Sequence, residues 1–245
     1  MLLAWTLLGL VVGAALNLLI VRLPKRKFPF ELPVTCRYCR KPLSFLELLP
    51  LVSYVWGRGR CRRCGHRLEF RYLLVEVTTG GLFAALFARF GLSWPLIIYS
   101  FYASVFVIVF MIDWQHRRIL NVVTYPSIAV ALALMFITPG LGAGQALLGG
   151  LFYGGLFFAL YVIGTMLYRQ SEALGLGDVK LALFIGLITG LQGALAAALI
   201  GTLLGAVFGL ALMVFKRASA RAGMPYGPAL SMGALAAILW SPWIR

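Results

Sequence analysis

Residues 94–113 read WPLIIYSFYASVFVIVFMID, an apolar stretch that ends on an aspartate. No charged side chain interrupts residues 94–112, and about 20 such residues cross the hydrocarbon core of a bilayer as an α-helix. The whole chain shares this character, since 62% of its 245 residues are hydrophobic and 12% are charged. Soluble domains carry roughly twice that charged fraction, and a membrane β-barrel would show short alternating segments. The sequence therefore predicts an all-α, polytopic membrane protein.

Apolar stretches of this kind recur along the chain, separated by basic or Pro- and Gly-rich segments. We predict eight transmembrane helices, at residues 2–21, 73–88, 94–112, 122–138, 145–168, 179–190, 193–215 and 228–240. The predicted regions are a first transmembrane helix (1–21), a cytoplasmic loop (22–72) and a seven-helix membrane domain (73–245).

The net charge of +15 is concentrated in one segment, because 13 of the 22 Lys and Arg residues lie between residues 22 and 71. Basic residues beside membrane spans mark the cytoplasmic side, so we interpret this segment as a cytoplasmic loop near anionic lipid headgroups and not as a nucleic-acid site. If the chain crosses the membrane eight times, Arg89 and Arg245 are the only Lys or Arg residues predicted on the outer side. The N-terminus is predicted outside. The first apolar run differs from a signal peptide because its basic residues follow it.

Asp113 and Asp178 are the only aspartates in the chain. Each lies at the membrane edge of an apolar stretch, where an ionisable group is costly and usually functional. The predicted topology puts both on the cytoplasmic side. Two carboxylates that meet in a poorly solvated site share a proton, so one can draw a proton from water while the other polarises a peptide carbonyl. We interpret them as the catalytic pair of an aspartyl peptidase.

Helix capping is the alternative interpretation of the two aspartates. Asp178 precedes a predicted span and suits an N-cap. Asp113 ends a span, where a negative charge opposes the helix dipole, so capping does not explain it. The neighbouring Gly175 and Gly177 are predicted to allow tight turns and close approach of a substrate backbone. Lys180 either lies near the pair or marks the membrane interface.

All four cysteines lie in the basic loop, and they form two pairs: Cys36-x2-Cys39 and Cys61-x2-Cys64. Two thiolate pairs of this spacing can complete one tetrahedral Zn²⁺ site. Two disulfides are the alternative, but thiols stay reduced in the cytoplasm, which favours zinc. Because four thiolates leave no open coordination position, the zinc is predicted to be structural.

Segments around both aspartates carry a family resemblance. Residues 173–181 read ALGLGDVKL, Asp113 is followed by Ile119 and Asn121, and residues 224–228 read MPYGP. With the Cys loop, these segments resemble the type IV prepilin peptidases, membrane aspartyl peptidases of the Gly-x-Gly-Asp type. The resemblance covers nearly the whole chain, although Leu120 stands where the first motif usually has Pro.

The resemblance implies removal of the N-terminal leader from prepilins or pseudopilins at the bacterial cytoplasmic (inner) membrane. It also implies N-methylation of the new N-terminus with S-adenosylmethionine. Pro225, Tyr226 and Gly227 are then expected to bind substrate or shape the site. Glu47 and Glu76 are candidates for holding the substrate amine or the cofactor. For Glu76, pairing with a nearby Arg at the interface is the alternative.

Two other functions are compatible with parts of the sequence. An ion-coupled transporter could also place two aspartates among its helices, but such residues more often lie near the bilayer midplane in broken helices. A signalling or scaffold protein could use the Cys loop as a binding module. It would then have no reason to carry the clustered Asp and Gly motifs.

Overall fold

The computed structural model describes residues 1–25, 39, 60, 64–66, 69–167, 175–216 and 226–240. The regular elements of these residues are α-helices and a short 3-10 turn, so the predicted all-α class is confirmed. The helices are α1 (Leu2–Arg22), α2 (Phe70–Phe90), α3 (Trp94–His116), α4 (Asn121–Leu134), α5 (Ala143–Leu167), α6 (Leu176–Lys216) and α7 (Gly227–Trp240).

Helices α1, α2, α3, α5 and α6 are the five in the described part of the chain that are long and apolar enough to cross a membrane. Helices α4 and α7 are apolar but shorter. The sixth and seventh predicted spans both fall in α6, which is interrupted at Gly190, where φ is 67° and ψ is −179°. The number of membrane crossings therefore stays a prediction.

Several helix ends differ from the predicted ones. Helix α2 begins at Phe70, so residues 70–72, predicted to belong to the loop, are helical. Helix α3 continues to His116, which puts Asp113 inside its last turn. The reason is physical: polar residues can continue a helix beyond the hydrocarbon core, so hydropathy marks the membrane edge and not the end of the helix.

The first compact unit, Met1–Leu92, is built on the packing of α1 against α2. Close approach of the two backbones depends on glycine, because a Cβ on Gly13 would lie 2.7 Å from the Cα of Glu76. The side-chain amide of Asn17 donates a hydrogen bond to the carbonyl oxygen of Tyr72 at 2.9 Å. Glu76 is thus an interior residue of this helix pair, with 1% of its surface exposed.

Among the long helices of the second unit, Ser93–Arg245, α3 is the most buried. Aromatic rings of α3 meet α6, since Tyr102 and Phe106 both lie against Phe184, with ring centroids 5.6 and 5.4 Å apart respectively. Helix α6 also packs against α4, α5 and α7. The starts of α4, α6 and α7 and the end of α3 carry the residues predicted for the site.

Helices α5 and α6 approach so closely that their backbones touch. A Cβ on Gly186 would clash with the carbonyl oxygen of Gly149, and a Cβ on Gly149 would clash with the carbonyl carbon of Gly190. Gly186 and Gly190 stand four residues apart, a spacing of small residues that is typical of helix contacts in lipid. The space between α5 and α6 therefore admits no side chain at these positions.

Gly149→Ala is expected to lower the free energy of unfolding by about 1–3 kcal/mol, because the added methyl group forces the two backbones apart. Gly155 is a matched control in the same helix, since a Cβ there meets nothing within 4 Å. Gly155→Ala should be neutral or stabilising by up to about 1 kcal/mol, because alanine favours helix. Thermal unfolding of the purified protein in detergent measures both, and equal shifts in the two variants would contradict the packing described.

Candidate active site

Asp113 lies in the last turn of α3 and is buried, with 4% of its surface exposed. Arg117, the residue after the helix, adopts the left-handed conformation with φ 51° and donates its N–H to the carbonyl oxygen of Asp113 at 2.8 Å. For a residue with a side chain this conformation costs roughly 1–2 kcal/mol. The strained residue turns the chain sharply out of α3, directly after the aspartate.

The carboxylate of Asp113 meets the start of another helix. The N–H of Gly227, the first residue of α7, donates to Oδ2 of Asp113 at 2.9 Å. A Cβ on Gly227 would lie 2.7 Å from the same oxygen, so only glycine allows this approach. The expectation that capping does not explain Asp113 is therefore right for its own helix and wrong for α7, whose N-terminal donor it satisfies.

Asp178 is the third residue of α6 and accepts a hydrogen bond from the N–H of Gly175 on its Oδ2 at 3.1 Å. Its own N–H donates to the carbonyl oxygen of Gly175 at 3.0 Å. The predicted N-cap position was wrong by one turn, because α6 begins at Leu176. Asp178 nevertheless supports the helix start, as the acidic residue of a capping box does.

The two carboxylates lie close enough to interact through their charges. They come from helices α3 and α6, and each has its Oδ2 held by a glycine N–H. Helix N-termini carry a partial positive charge, so among the described residues the hydrogen bonds that compensate the two acids come from backbone N–H groups. Asp113 and Asp178, predicted to meet from opposite parts of the sequence, are thus neighbours in the structure.

The segments around the two aspartates also contact each other directly. Ile119 fills the space beside Gly177, where a Cβ would come within 2.9 Å of the Cβ of Ile119. The ammonium group of Lys180 donates to Oδ1 of Asn121 at 3.0 Å and lies 4.7 Å from the ring centroid of Tyr125. Gly177 is therefore needed for packing between the segments, and Lys180 contacts the start of α4.

Similarity to known proteins is consistent with this arrangement. Residues 7–90 match the bacterial peptidase A24 N-terminal domain, and residues 100–210 match the type IV leader peptidase family. A prepilin leader peptidase/N-methyltransferase of Bacillus subtilis (strain 168) is 32% identical over 232 residues, which are 95% of this chain and 91% of that protein. The chain belongs to the type IV leader peptidase family.

Two further relatives in the family carry the same name. The Aeromonas hydrophila protein is 28% identical over 258 residues, covering 96% of this chain and 89% of that protein. The Myxococcus xanthus (strain DK1622) protein is 35% identical over 179 residues, covering 73% of this chain and 53% of that protein. No solved structure matches the chain significantly.

Leu120, which replaces the usual proline of the family's first motif, has a backbone conformation close to that of proline. Its φ is −81° and its ψ is 127°, near the φ of about −65° that proline imposes. The carbonyl oxygen of Leu120 accepts the N–H groups of Val123 and Thr124, which begins α4. The departure from the motif therefore leaves the start of this helix in the expected shape.

The remaining predicted site residues are distributed unevenly. Tyr226 is partly buried just before α7, with its ring 3.7 Å from a Cβ built on Gly205. Glu76 is buried between α1 and α2 in the first unit. Four predicted residues lie outside the described ones: Cys36, Glu47, Cys61 and Pro225.

The predicted zinc ligands Cys39 and Cys64 lie among the described residues. Within that part of the chain, no group of three or more His, Cys, Asp or Glu side chains could hold a metal ion. Since Cys36 and Cys61 are not among those residues, the four-cysteine site stays a prediction.

Two residues with a structural part in the site were not predicted from the sequence. Tyr125 follows Asn121 by four residues, so both lie on the face of α4 that contacts Lys180. This helical spacing is a sequence signal that could have revealed the role of Tyr125. Arg117 carries the left-handed turn after Asp113. An arginine gives no such signal, because glycine or asparagine normally occupies this conformation.

Gly227→Ala is expected to destabilise the protein by at least about 2 kcal/mol, because its methyl group displaces the Asp113 carboxylate and breaks a charge-assisted hydrogen bond. Gly175→Ala should cost less, since a Cβ at Gly175 would lie 3.5 Å from Oδ2 of Asp178, an ordinary contact. Thermal unfolding of the two purified variants tests the order. A larger loss for Gly175→Ala would contradict the described packing.

Proposed function

We propose that this protein is a membrane aspartyl endopeptidase that removes the N-terminal leader of type IV prepilins or pseudopilins, with Asp113 and Asp178 as its catalytic pair. The observation that carries the proposal is the meeting of the two aspartates, each with Oδ2 held by a glycine N–H. Family membership supports the same activity, since the relatives compared above are named prepilin leader peptidases.

The geometry supports a mechanism in which the pair shares one proton. The ionised carboxylate takes a proton from a water molecule, whose oxygen attacks the scissile carbonyl carbon while the protonated partner donates to the carbonyl oxygen. Collapse of the tetrahedral intermediate breaks the C–N bond. The aspartate that took the proton from water gives it to the leaving amine, and a hydroxyl of the intermediate returns a proton to the other aspartate. Because backbone donors hold Oδ2 of Asp113 and Asp178, we assign the Oδ1 atoms to water and substrate.

The position of the pair constrains the substrate. The carboxylates lie where α3 ends and where α6 and α7 begin, at the edge of the apolar bundle. A helical substrate hides its carbonyl groups in hydrogen bonds, so the scissile segment must be extended at the site. A precursor with a short polar leader followed by an apolar stem meets both conditions.

The contacts of α6 support the eight-span topology. Asp178 interacts with Asp113. Gly205 lies against Tyr226, and the next residue, Gly227, donates its N–H to Asp113. Residues 178 and 205 are therefore both near Asp113. In one straight helix residues 178 and 205 would be about 40 Å apart. The chain therefore turns back at Gly190, and we infer two antiparallel crossings in α6.

With eight crossings, the distribution of basic residues puts the active site and the Cys loop in the cytoplasm and the N-terminus outside. We infer a multi-pass protein of the bacterial cytoplasmic (inner) membrane, in contact with its lipids. No observation favours an ion-coupled transporter, because the aspartates lie at helix ends and the relatives are named peptidases.

Asp113→Asn and Asp178→Asn are each expected to lower the rate of leader removal by about 10²- to 10⁴-fold, the usual contribution of acid–base catalysis. Each asparagine keeps an oxygen that can accept the glycine N–H, so the fold should be retained. Cleavage of a purified prepilin by reconstituted protein, with the thermal midpoint as a folding check, measures the effect.

Glu69→Gln is the matched control, because it neutralises an acidic residue at the start of α2, in the other unit. It should leave the cleavage rate within about twofold, because the proposed chemistry assigns Glu69 no role. Near-normal processing by either aspartate variant would falsify the catalytic assignment.

We also propose that the protein N-methylates the new N-terminus, with S-adenosylmethionine as methyl donor, because the relatives' names include this activity. Glu76 stays a candidate for holding the substrate amine or the cofactor on resemblance alone, and it is buried in the α1–α2 pair. We therefore derive no step through it. Glu47 remains a candidate on resemblance alone.

For the basic loop we propose a structural Zn²⁺ held by the four cysteines. The spacing of the two Cys-x2-Cys pairs supports it, since four thiolates complete a closed tetrahedral site. Bound zinc would cross-link two parts of the loop that are far apart in sequence, and it would leave the peptidase chemistry to the aspartates.

Purified, reduced protein is expected to contain about one zinc ion per chain, measured by inductively coupled plasma mass spectrometry. Cys36→Ser and Cys61→Ser should each lower that content severalfold, because each removes a thiolate from a different pair. Arg60→Ser is a control beside the second pair that keeps all four thiols. Zinc-free wild-type protein, or unchanged zinc in the cysteine variants, would rule the site out.

A further inference from the structure

Lys180 lies two residues after Asp178 in α6, and its ammonium group contacts the start of α4. Side chains two residues apart on an α-helix project to opposite sides. The Lys180 Nζ donates to Oδ1 of Asn121 at 3.0 Å and lies 4.7 Å from the ring centroid of Tyr125. Both partners belong to the first two turns of α4.

We propose that Lys180, Asn121 and Tyr125 form a positioning clamp that sets the separation of the two catalytic carboxylates. The proposal rests on the peptidase function proposed above. In this proposal the three side chains act through the aspartates and not on the substrate, so they are positioning residues. Their contact holds the start of α6, with Asp178, at a set height and rotation against the start of α4.

A second contact on the same face of α6 makes the clamp effective. Gly177 and Lys180 are three residues apart and therefore share a face, and Ile119 packs directly on Gly177. A single contact would leave the helix start able to pivot about it. The steric contact at Gly177 and the polar contact at Lys180 together prevent both sliding and rotation.

The clamp closes a short path between the two carboxylates. From Asp113 the chain passes through the left-handed turn at Arg117 and reaches Asn121 at the start of α4. From Asn121 the hydrogen bond leads to Lys180, and Asp178 lies two residues before it. Any displacement of the Lys180 contact is therefore transmitted to the distance between the acid and the base.

The exposure of the clamp indicates that it positions the aspartates more than it stabilises the fold. Tyr125 is 54% exposed, so the clamp lies at the surface of the helix bundle and not in its packed core, where substitutions cost most stability. Catalysis is far more sensitive, because a displacement of about 1 Å can cost on the order of 100-fold in rate. Loss of the clamp should therefore change the rate much more than the stability.

The test measures kcat and KM for prepilin cleavage by the full-length protein, together with its thermal midpoint. Lys180→Gln is expected to lower kcat about tenfold with KM changed less than about twofold, a loss confined to the reaction step. Lys180→Arg should recover most of the rate, because it keeps a cationic donor. Asn121→Ala should resemble Lys180→Gln.

A double variant tests whether the residues act as one unit. Lys180→Gln with Asn121→Ala should be no slower than either single variant, because both remove the same contact. Arg118→Gln is the matched control for loss of positive charge, since Arg118 is exposed in the same connection. It should leave kcat and KM unchanged.

Three results would overturn the clamp. These are a wild-type kcat in Lys180→Gln, rate losses that multiply in the double variant, or a rise in KM with unchanged kcat, which would make Lys180 a substrate-binding residue. Inactive Asp113→Asn and Asp178→Asn variants beside fully active clamp variants would refute the clamp alone. Active aspartate variants would refute the peptidase assignment itself.

Discussion

A buried carboxylate in an apolar helix bundle must find hydrogen-bond donors, and this requirement organises the second unit of the protein. Asp113 is almost fully buried, and leaving such a group unpaired would be very costly. Its donor is the N–H at the start of α7, and Asp178 uses the N–H just before α6. Helix N-termini have N–H groups without partners inside the helix. The hydrogen bond from each helix start to its aspartate therefore gives a partner to both the N–H and the carboxylate.

The same requirement explains the glycines of the site, but for different reasons. Gly227 must lack a side chain because its backbone touches the Asp113 carboxylate, while Gly177 must lack one because Ile119 occupies the space. Gly175 has no comparable clash and contributes its N–H to Asp178. The glycines are therefore needed for close packing within the protein itself, and not only for the approach of a substrate backbone. This packing positions the two carboxylates before substrate binds.

The sequence predicted what depends on local signals. Long apolar stretches indicate helices, and the membrane-edge positions of Asp113 and Asp178 singled them out, because few ionisable residues interrupt these stretches. The bond from Gly227 to Asp113 joins residues 114 positions apart, and no local pattern encodes that. The start of α6 was assigned too late because glycines disfavour helix, although a carboxylate inside the first turn compensates for them. The burial of Glu76 was also missed, since it depends on the packing of α1.

The direction of Lys180 has a chemical consequence beyond packing. A cation about 4 Å from one carboxylate would favour its ionised form by about 4 kcal/mol at an effective dielectric constant of 20, roughly a thousandfold in the proton equilibrium. A proton could then no longer be shared between the proposed pair. Backbone N–H groups carry only partial charge, so they orient Oδ2 of each acid and leave protonation open. Lys180 instead donates to Asn121 and lies over the ring of Tyr125, so α4 engages its positive charge while it adds rigidity beside the pair.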